Sequence, residues 1–271
     1  MLTPLTLLRK HSGLLIAVGI VCVVVNGQGL GPLWFTGVVL LLLGTVLRWR
    51  AWHRQRPGQD RPPTPVEIPV AGRWQALNGP GTKVPSHTHS HAQTYAIDLT
   101  HHPKPHPAPG FRPLWPLARR PHDYPAFGTP VLSPGDGVVV AVGDGRRDHL
   151  TRTSLPGYAY LFLEGFVRSL GRPGHLWGNH VVLRLDSGVY AAFAHLRRGS
   201  LRVAVGDRVA VGRQLAECGN SGNSSEPHVH FQLMNGPDSE TAQGVPFVWH
   251  YRDDEGAPRT GVPEDGTYFS A

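Results

Sequence analysis

The chain has 271 residues, with 33 Gly, 26 Pro, 17% charged and 40% apolar side chains; this fits one large or two small domains of short strands and turns and excludes a helical bundle or coiled coil. Two cysteines, Cys22 in an apolar run and Cys218 far from it, exclude a disulfide framework, Cys-rich zinc knuckles and an iron–sulfur cluster, so any metal must be held by His and carboxylates. A net charge of +7 points to anionic partners, but the arginines are scattered through loops without a helix-borne or aromatic-interleaved cluster, and no nucleic-acid partner is expected.

From Gly13 to Leu47 there is no charged residue, and two apolar runs, Gly13 to Val25 and Leu33 to Leu47, flank a Gly/Pro-rich turn. A single span needs about 20 residues, so this longer stretch predicts a hairpin of two short membrane helices over residues 1–50, in contact with membrane lipid. A cleaved signal peptide headed by Arg9 and Lys10 is the alternative, but no small-x-small site follows Val25. Arg9 and Lys10 at one end and Arg48, Arg50, Arg54 and Arg56 at the other place both ends in the cytoplasm by the charge rule. Residues 51–65 read as a Pro/Arg-rich linker, extended from Arg56 to Pro65.

Beyond the linker the pattern becomes period two, in runs bounded by Gly, Pro and Asp: Thr94 to Leu99, Gly137 to Val142, His180 to Leu185, Val189 to His195, Arg208 to Leu215 and His228 to Met234. This predicts a mainly β, antiparallel domain over 66–245. Insertions near 100–125 and 145–174 are read as rimming a cleft. The tail, 246–271, shows no periodicity and is expected to pack across the sheet or trail off.

Three places in this pattern carry chemistry. In a strand, His228 and His230 point to one face while Val229, Phe231 and Leu233 point to the other, so two imidazoles stand side by side, fed by a tight Cys-Gly-Asn-Ser-Gly-Asn loop. Asp98 interrupts an apolar alternation, and a half-buried carboxylate needs a cationic or metal partner unless it merely caps a turn. Upstream lie His87, His89 and His91, a metal-ligand source or an incidental His-rich loop. His195 ends a predicted strand, where a lone His is commonly structural or at the surface, and His180 is read as structural. There is no His-Glu-x-x-His helix and no Gly-x-Ser-x-Gly elbow, which argues against thermolysin-like and serine-hydrolase mechanisms.

The series His87 … Gln93-Thr-Tyr-Ala-Ile-Asp98, Phe127-Gly-Thr-Pro-Val131, Gly135-Asp-Gly-Val-Val139, Gly178-Asn-His-Val-Val182, Ala194-His-Leu196, Val203-Ala-Val-Gly-Asp-Arg-Val209, Cys218-Gly-Asn-Ser-Gly-Asn223 and Pro227-His-Val-His-Phe231 resembles the lysostaphin/LytM-type zinc metallopeptidases in order and spacing, over roughly residues 75 to 235. The resemblance implies a small antiparallel β-sheet domain with a groove, built as a duplicated hybrid motif. It also implies one Zn²⁺ and endopeptidase action on the peptide cross-links of bacterial peptidoglycan. Asp98 and His230 match the carboxylate and last His ligands. The usual first His position, four residues before the Asp, is Thr94 here; Val84-Pro-Ser-His87 matches a branch in which the ligand lies upstream, making His87 the first choice, His89 the second and His91 the third. His228 resembles the general base, and His195 the second non-ligand His that bonds the water or the oxyanion. The substrate class implies an extracytoplasmic domain, against the charge rule. The alternatives are a catalytically inactive wall-binding or regulatory module tethered to the membrane, and a protease acting on a protein.

Overall fold

Two apolar helices precede a twelve-stranded sheet in a computed structural model of the chain, which describes residues 11–27, 29–58, 61–169 and 174–271. Arg9 and Lys10, and residues 170–173 of the second insertion, lie outside the described residues.

Helices α1 (Ser12–Val25, 14 residues) and α2 (Pro32–Arg54, 23 residues) pack antiparallel. Glycine makes this approach possible: a Cβ on Gly19 would lie 2.8 Å from the Gly37 carbonyl oxygen, and one on Gly44 would lie 2.9 Å from that of Ser12. By length and composition α2 is apolar and long enough to cross a membrane, with mean hydropathy 1.6, whereas the 14 residues of α1 fall short of a span. The helix also runs past residue 50, where the sequence placed the linker. Just beyond its end, the buried Gln55 donates from Nε2 to the Ser239 and Ala242 carbonyls at 2.6 and 2.9 Å and accepts at Oε1 from the His91 N–H at 3.3 Å. Trp52 stacks 4.7 Å from His89. The helix end is therefore docked on the β domain rather than joined to it by free chain.

The strands in chain order are β1 (Thr64–Pro65), β2 (Arg73–Leu77), β3 (Ile97–His101), β4 (Pro130–Leu132), β5 (Gly137–Gly143), β6 (Asn179–Leu185), β7 (Tyr190–Leu196), β8 (Arg208–Val209), β9 (Gln214–Glu217), β10 (Val229–Met234), β11 (Gly244–Val245), β12 (Phe247–Asp253), β13 (Pro258–Gly261) and β14 (Tyr268–Ser270). The main sheet runs β1-β12-β14-β2-β3-β10-β7-β6-β5-β8, with β11 on β10 and β13 on β12, while β4 and β9 form a separate pair. Only β1–β12 is parallel among these described pairs.

Several expected boundaries move. The strand expected from Thr94 begins at Ile97, because Ser90–Tyr95 winds as a 3₁₀ segment with left-handed His91 and Ala92 inside it. The run Arg208 to Leu215 splits into β8 and β9 at a turn through Gly212, at φ +75°, and β9 leaves the main sheet for β4. The tail is part of the sheet: β12 and β14 extend it beyond β2, and Phe247, Trp249 and Phe269 enter the core. The second insertion holds a helix, α3 (Leu155–Ser169), followed by the short α4 (Gly174–Trp177).

One face of the sheet carries the core. Val229, Phe231 and Leu233 of β10 are fully buried there with Ile97, Leu99 and Phe193. The Phe231 ring lies 5.4 Å from Phe193, 5.1 Å from Phe247 and 5.6 Å from Trp249, tying the tail to the central strands. Phe231→Ala should lower stability by about 3–5 kcal/mol through lost burial and the cavity left behind, read as a lower denaturant midpoint for the tryptophan signal. An unchanged midpoint would mean that this aromatic cluster does not bear on folding.

Candidate metal centre

Strand register sets the site. In β10, His230 stands directly across from Asp98 of β3 on one side and from Ala194 of β7 on the other. Because successive side chains alternate, the face opposite Phe231 presents His230 and Gln232, with His228 just before the strand.

His195 joins this face against the strand period. Ala191 and Phe193 of β7 point into the main core, so alternation would send residue 195 there too. Instead His195 adopts a left-handed backbone, φ +61°, which is uncommon for a residue with a side chain. The ring ends 4.8 Å from that of His228 and 5.8 Å from that of His230. Strain of this kind, of order 1–3 kcal/mol, persists where surrounding contacts fix it; here the His195 Nδ1–H donates to the Ser221 carbonyl at 2.8 Å.

His87, Asp98 and His230 each turn one ligand atom into a cluster within 4.8 Å. Asp98 Oδ2 lies 3.1 Å from His87 Nε2 and accepts from Asn78 Nδ2 at 3.0 Å, while Oδ1 lies 2.9 Å from His230 Nδ1 and 3.6 Å from His228 Nε2. The loop before His87 is held to the entry of β3 by the Ser86 N–H, which donates to the Thr94 carbonyl at 3.0 Å. The two neighbouring histidines face elsewhere. His89 Nδ1 pairs with Thr94 Oγ1 at 2.9 Å beneath Trp52, and the His91 backbone bridges Gln55 and Gln232.

Ring protons can be placed from the partners, because a carbonyl oxygen only accepts. His228 Nδ1–H donates to the Glu226 carbonyl at 2.7 Å, which turns Nε2 toward Asp98 Oδ1 at 3.6 Å. Gln232 donates from Nε2 to the His91 and Ala92 carbonyls at 2.9 and 3.3 Å, which turns its Oε1 to accept from His230 Nε2–H at 3.0 Å. The lone pair of His230 Nδ1 then faces a carboxylate oxygen. Two acceptors at 2.9 Å repel unless positive charge lies between or beside them, supplied by a proton or a cation. Two imidazoles and one carboxylate suit a borderline metal with an open coordination position.

The electrostatics follow from burial. Burial pushes the Asp98 carboxyl up, but facing His87 and His228 and the bond with His230 outweigh it and hold its pKa well below the usual range. Burial also opposes charge on His87, yet Asp98 leaves that imidazole raised. Burial, with His228 and His230 nearby, holds His195 well below the ordinary histidine value, so this ring is neutral.

The sequence did not single out Asn78, Gln55 or the Ser221 and Glu226 carbonyls. Gln232 had a usable signal: it continues the two-residue period of His228 and His230 by one step.

Residues 122–243 match the sequence profile of Peptidase family M23, a stretch that includes His195, His228 and His230 but begins after His87 and Asp98. Glycyl-glycine endopeptidase ALE-1 of Staphylococcus capitis is 33% identical over 87 residues, 31% of this chain and 24% of that protein, so the chain spans about a quarter of that relative's length. Among solved structures, the catalytic domain of lysostaphin from Staphylococcus simulans is 20% identical, with 73% of this chain and 92% of that one covered and a TM-score of 0.32. A putative glycyl-glycine endopeptidase lytM from Ruminococcus gnavus is 16% identical, with 88% and 81% covered and a TM-score of 0.36. A zinc containing peptidase from Vibrio cholerae is 18% identical, with 70% and 39% covered and a TM-score of 0.31. Over residues 122–243, a little under half of its length, the chain is thus similar to Peptidase family M23.

Proposed function

We propose that the chain is a membrane-anchored zinc metalloendopeptidase that hydrolyses peptide cross-links of bacterial peptidoglycan, with its catalytic domain outside the membrane. The observation that carries this reading is the meeting of His87, Asp98 and His230 beside two further imidazoles whose protonated nitrogens are tied to backbone carbonyls. A structural cluster has no need of two extra acceptors at its edge; hydrolysis does. The family match and the likeness to a glycyl-glycine endopeptidase support the substrate class. The extracytoplasmic placement follows from that substrate, although the arginines in the last turns of α2 and just beyond it argue the other way.

His87 Nε2, one Asp98 oxygen and His230 Nδ1 would hold the ion. When bound, zinc supplies Lewis acidity, polarising a peptide carbonyl and making water nucleophilic near neutral pH. The remaining work belongs to the chain. His228, with Nδ1–H bonded to the Glu226 carbonyl, offers Nε2 as the general base, and Asp98 at 3.6 Å stabilises the imidazolium formed when it takes the proton. The same proton can then pass to the departing amine. His195, kept neutral and fixed by the Ser221 carbonyl, offers Nε2 as an acceptor that orients the attacking water. Gln232 holds the His230 ring in the tautomer that frees Nδ1.

His228→Ala and His195→Ala should each keep zinc and lower turnover about 10²–10⁴-fold, whereas Asp98→Ala and His230→Ala should lose the metal. Elemental analysis beside release of cleaved muropeptides checks this division, and equal zinc loss in all four would refute it. Sacculus binding without any new amine termini from the wild-type chain would instead favour a non-catalytic wall-binding module. Gln232→Leu should weaken zinc binding about 10–100-fold in competition with a chromophoric chelator. Unaltered affinity would remove Gln232 from any role in orienting the ligand.

A further inference from the structure

Helix α3 has its polarity reversed. No residue of it is buried. Its inward stripe, half-buried, is Gly157, Leu161, Glu164, Gly165 and Arg168. Both charged groups on this stripe are paired within the protein: Glu164 pairs with the buried Arg152 and accepts from Arg168 at 2.7 Å, and Arg168 also donates to the His175 carbonyl at 2.8 Å. The stripe borders a cavity of ≈ 760 Å³ that also meets Arg146 and Arg147. The outward face is apolar, with Phe162 74% and Leu163 64% exposed, alongside Phe166 and Val167.

A helix at a water-facing surface places its charges outward and its apolar side chains inward; α3 does the opposite. The apolar surface also continues beyond the helix. The Leu155 N–H donates to the Pro113 carbonyl and the Ser154 hydroxyl to the Leu117 carbonyl, seating the preceding insertion against α3, where Trp115 is 78% exposed. At its other end, the Ser169 carbonyl accepts from Arg48 Nη2 at 3.2 Å, which ties the end of α3 to α2 where its uncharged run stops.

We propose that α3 and the Leu114–Trp115 tip lie in the headgroup–acyl boundary of the same bilayer that α2 crosses, forming a second, interfacial contact between the peptidase domain and the membrane. This inference rests on the reading of α2 as a membrane span. The occupant is lipid because α3 is tied at its end to the apolar helix through Arg48 and Ser169, and its exposed face is rich in aromatic side chains suited to the interface and keeps no charge on its outer side. The inner face of α3 lies on the loop that leads to His228: a Cβ on Gly165 would sit 2.9 Å from Asn223 Nδ2. Lipid contact on α3 therefore sits against the loop that leads to His228.

The test uses the full chain in vesicles of phosphatidylethanolamine and phosphatidylglycerol, in a Cys22→Ala background in which Cys218 stays buried. An environment-sensitive fluorophore is attached at Phe162→Cys, at Leu163→Cys as a second site on α3, at Val39→Cys in α2 and at Val205→Cys on an exposed loop. Blue-shifted emission and loss of quenching by aqueous iodide are expected at 162, 163 and 39, and neither at 205. Iodide-accessible dye at 162 and 163 with a shielded dye at 39 overturns the inference, leaves the span intact and returns the apolar face to a partner protein. Shielding at 162 that rises with the protein-to-lipid ratio overturns it in favour of self-association. An iodide-accessible dye at 39 overturns the span itself and the interfacial contact with it.

Discussion

A carboxylate withdrawn from water governs the architecture around Asp98. Removing such a group from solvent is costly unless its charge is answered, and here the answer is three imidazoles and the Asn78 amide, gathered from three separated stretches of chain. Their convergence requires β3 and β10 to be neighbours in one register, since a slip of one residue would turn His230 into the core and Phe231 onto the site face. The apolar cluster around Phe231 thus fixes the polar cluster around Asp98, each specifying the register the other needs.

The loop over residues 218–227 converts that register into oriented rings. It lies at backbone contact with the strand ends: a Cβ on Gly219 would fall 2.3 Å from the Arg197 nitrogen, and one on Gly222 2.4 Å from that of Gly178. No side chain fits at either point. The loop is held where the Ser221 carbonyl meets His195 and the Glu226 carbonyl meets His228, so both rings are oriented before any substrate arrives.

The pair His228 and His230, and the acid at Asp98, were legible from the two-residue period and from the cost of a buried charge. The selection of His87 over His89 and His91 was not derivable from spacing. It depends on the left-handed turn at His91 and Ala92 and on Gln55, 36 residues away, bonding to the His91 N–H. His195 was misleading by period, because a single backbone dihedral moves it to the other face. Helix α3 was read only as part of an insertion near 145–174, since its polarity is inverted and its charged partner, Arg152, precedes it in a loop. The tail hid its strands because β12 buries two aromatics and then turns polar at the sheet margin.

Gln55 has a mechanical meaning. Its amide is clamped by Ser239, Ala242 and His91, so the apolar helix and the β domain meet at a stiff joint rather than a swivel. With α2 in a membrane, as proposed above, a peptidase domain mounted this way has a fixed standoff and a fixed heading. It cannot sweep an arc like a domain on a string, and material that it processes must be brought to it or lie within its short, set reach.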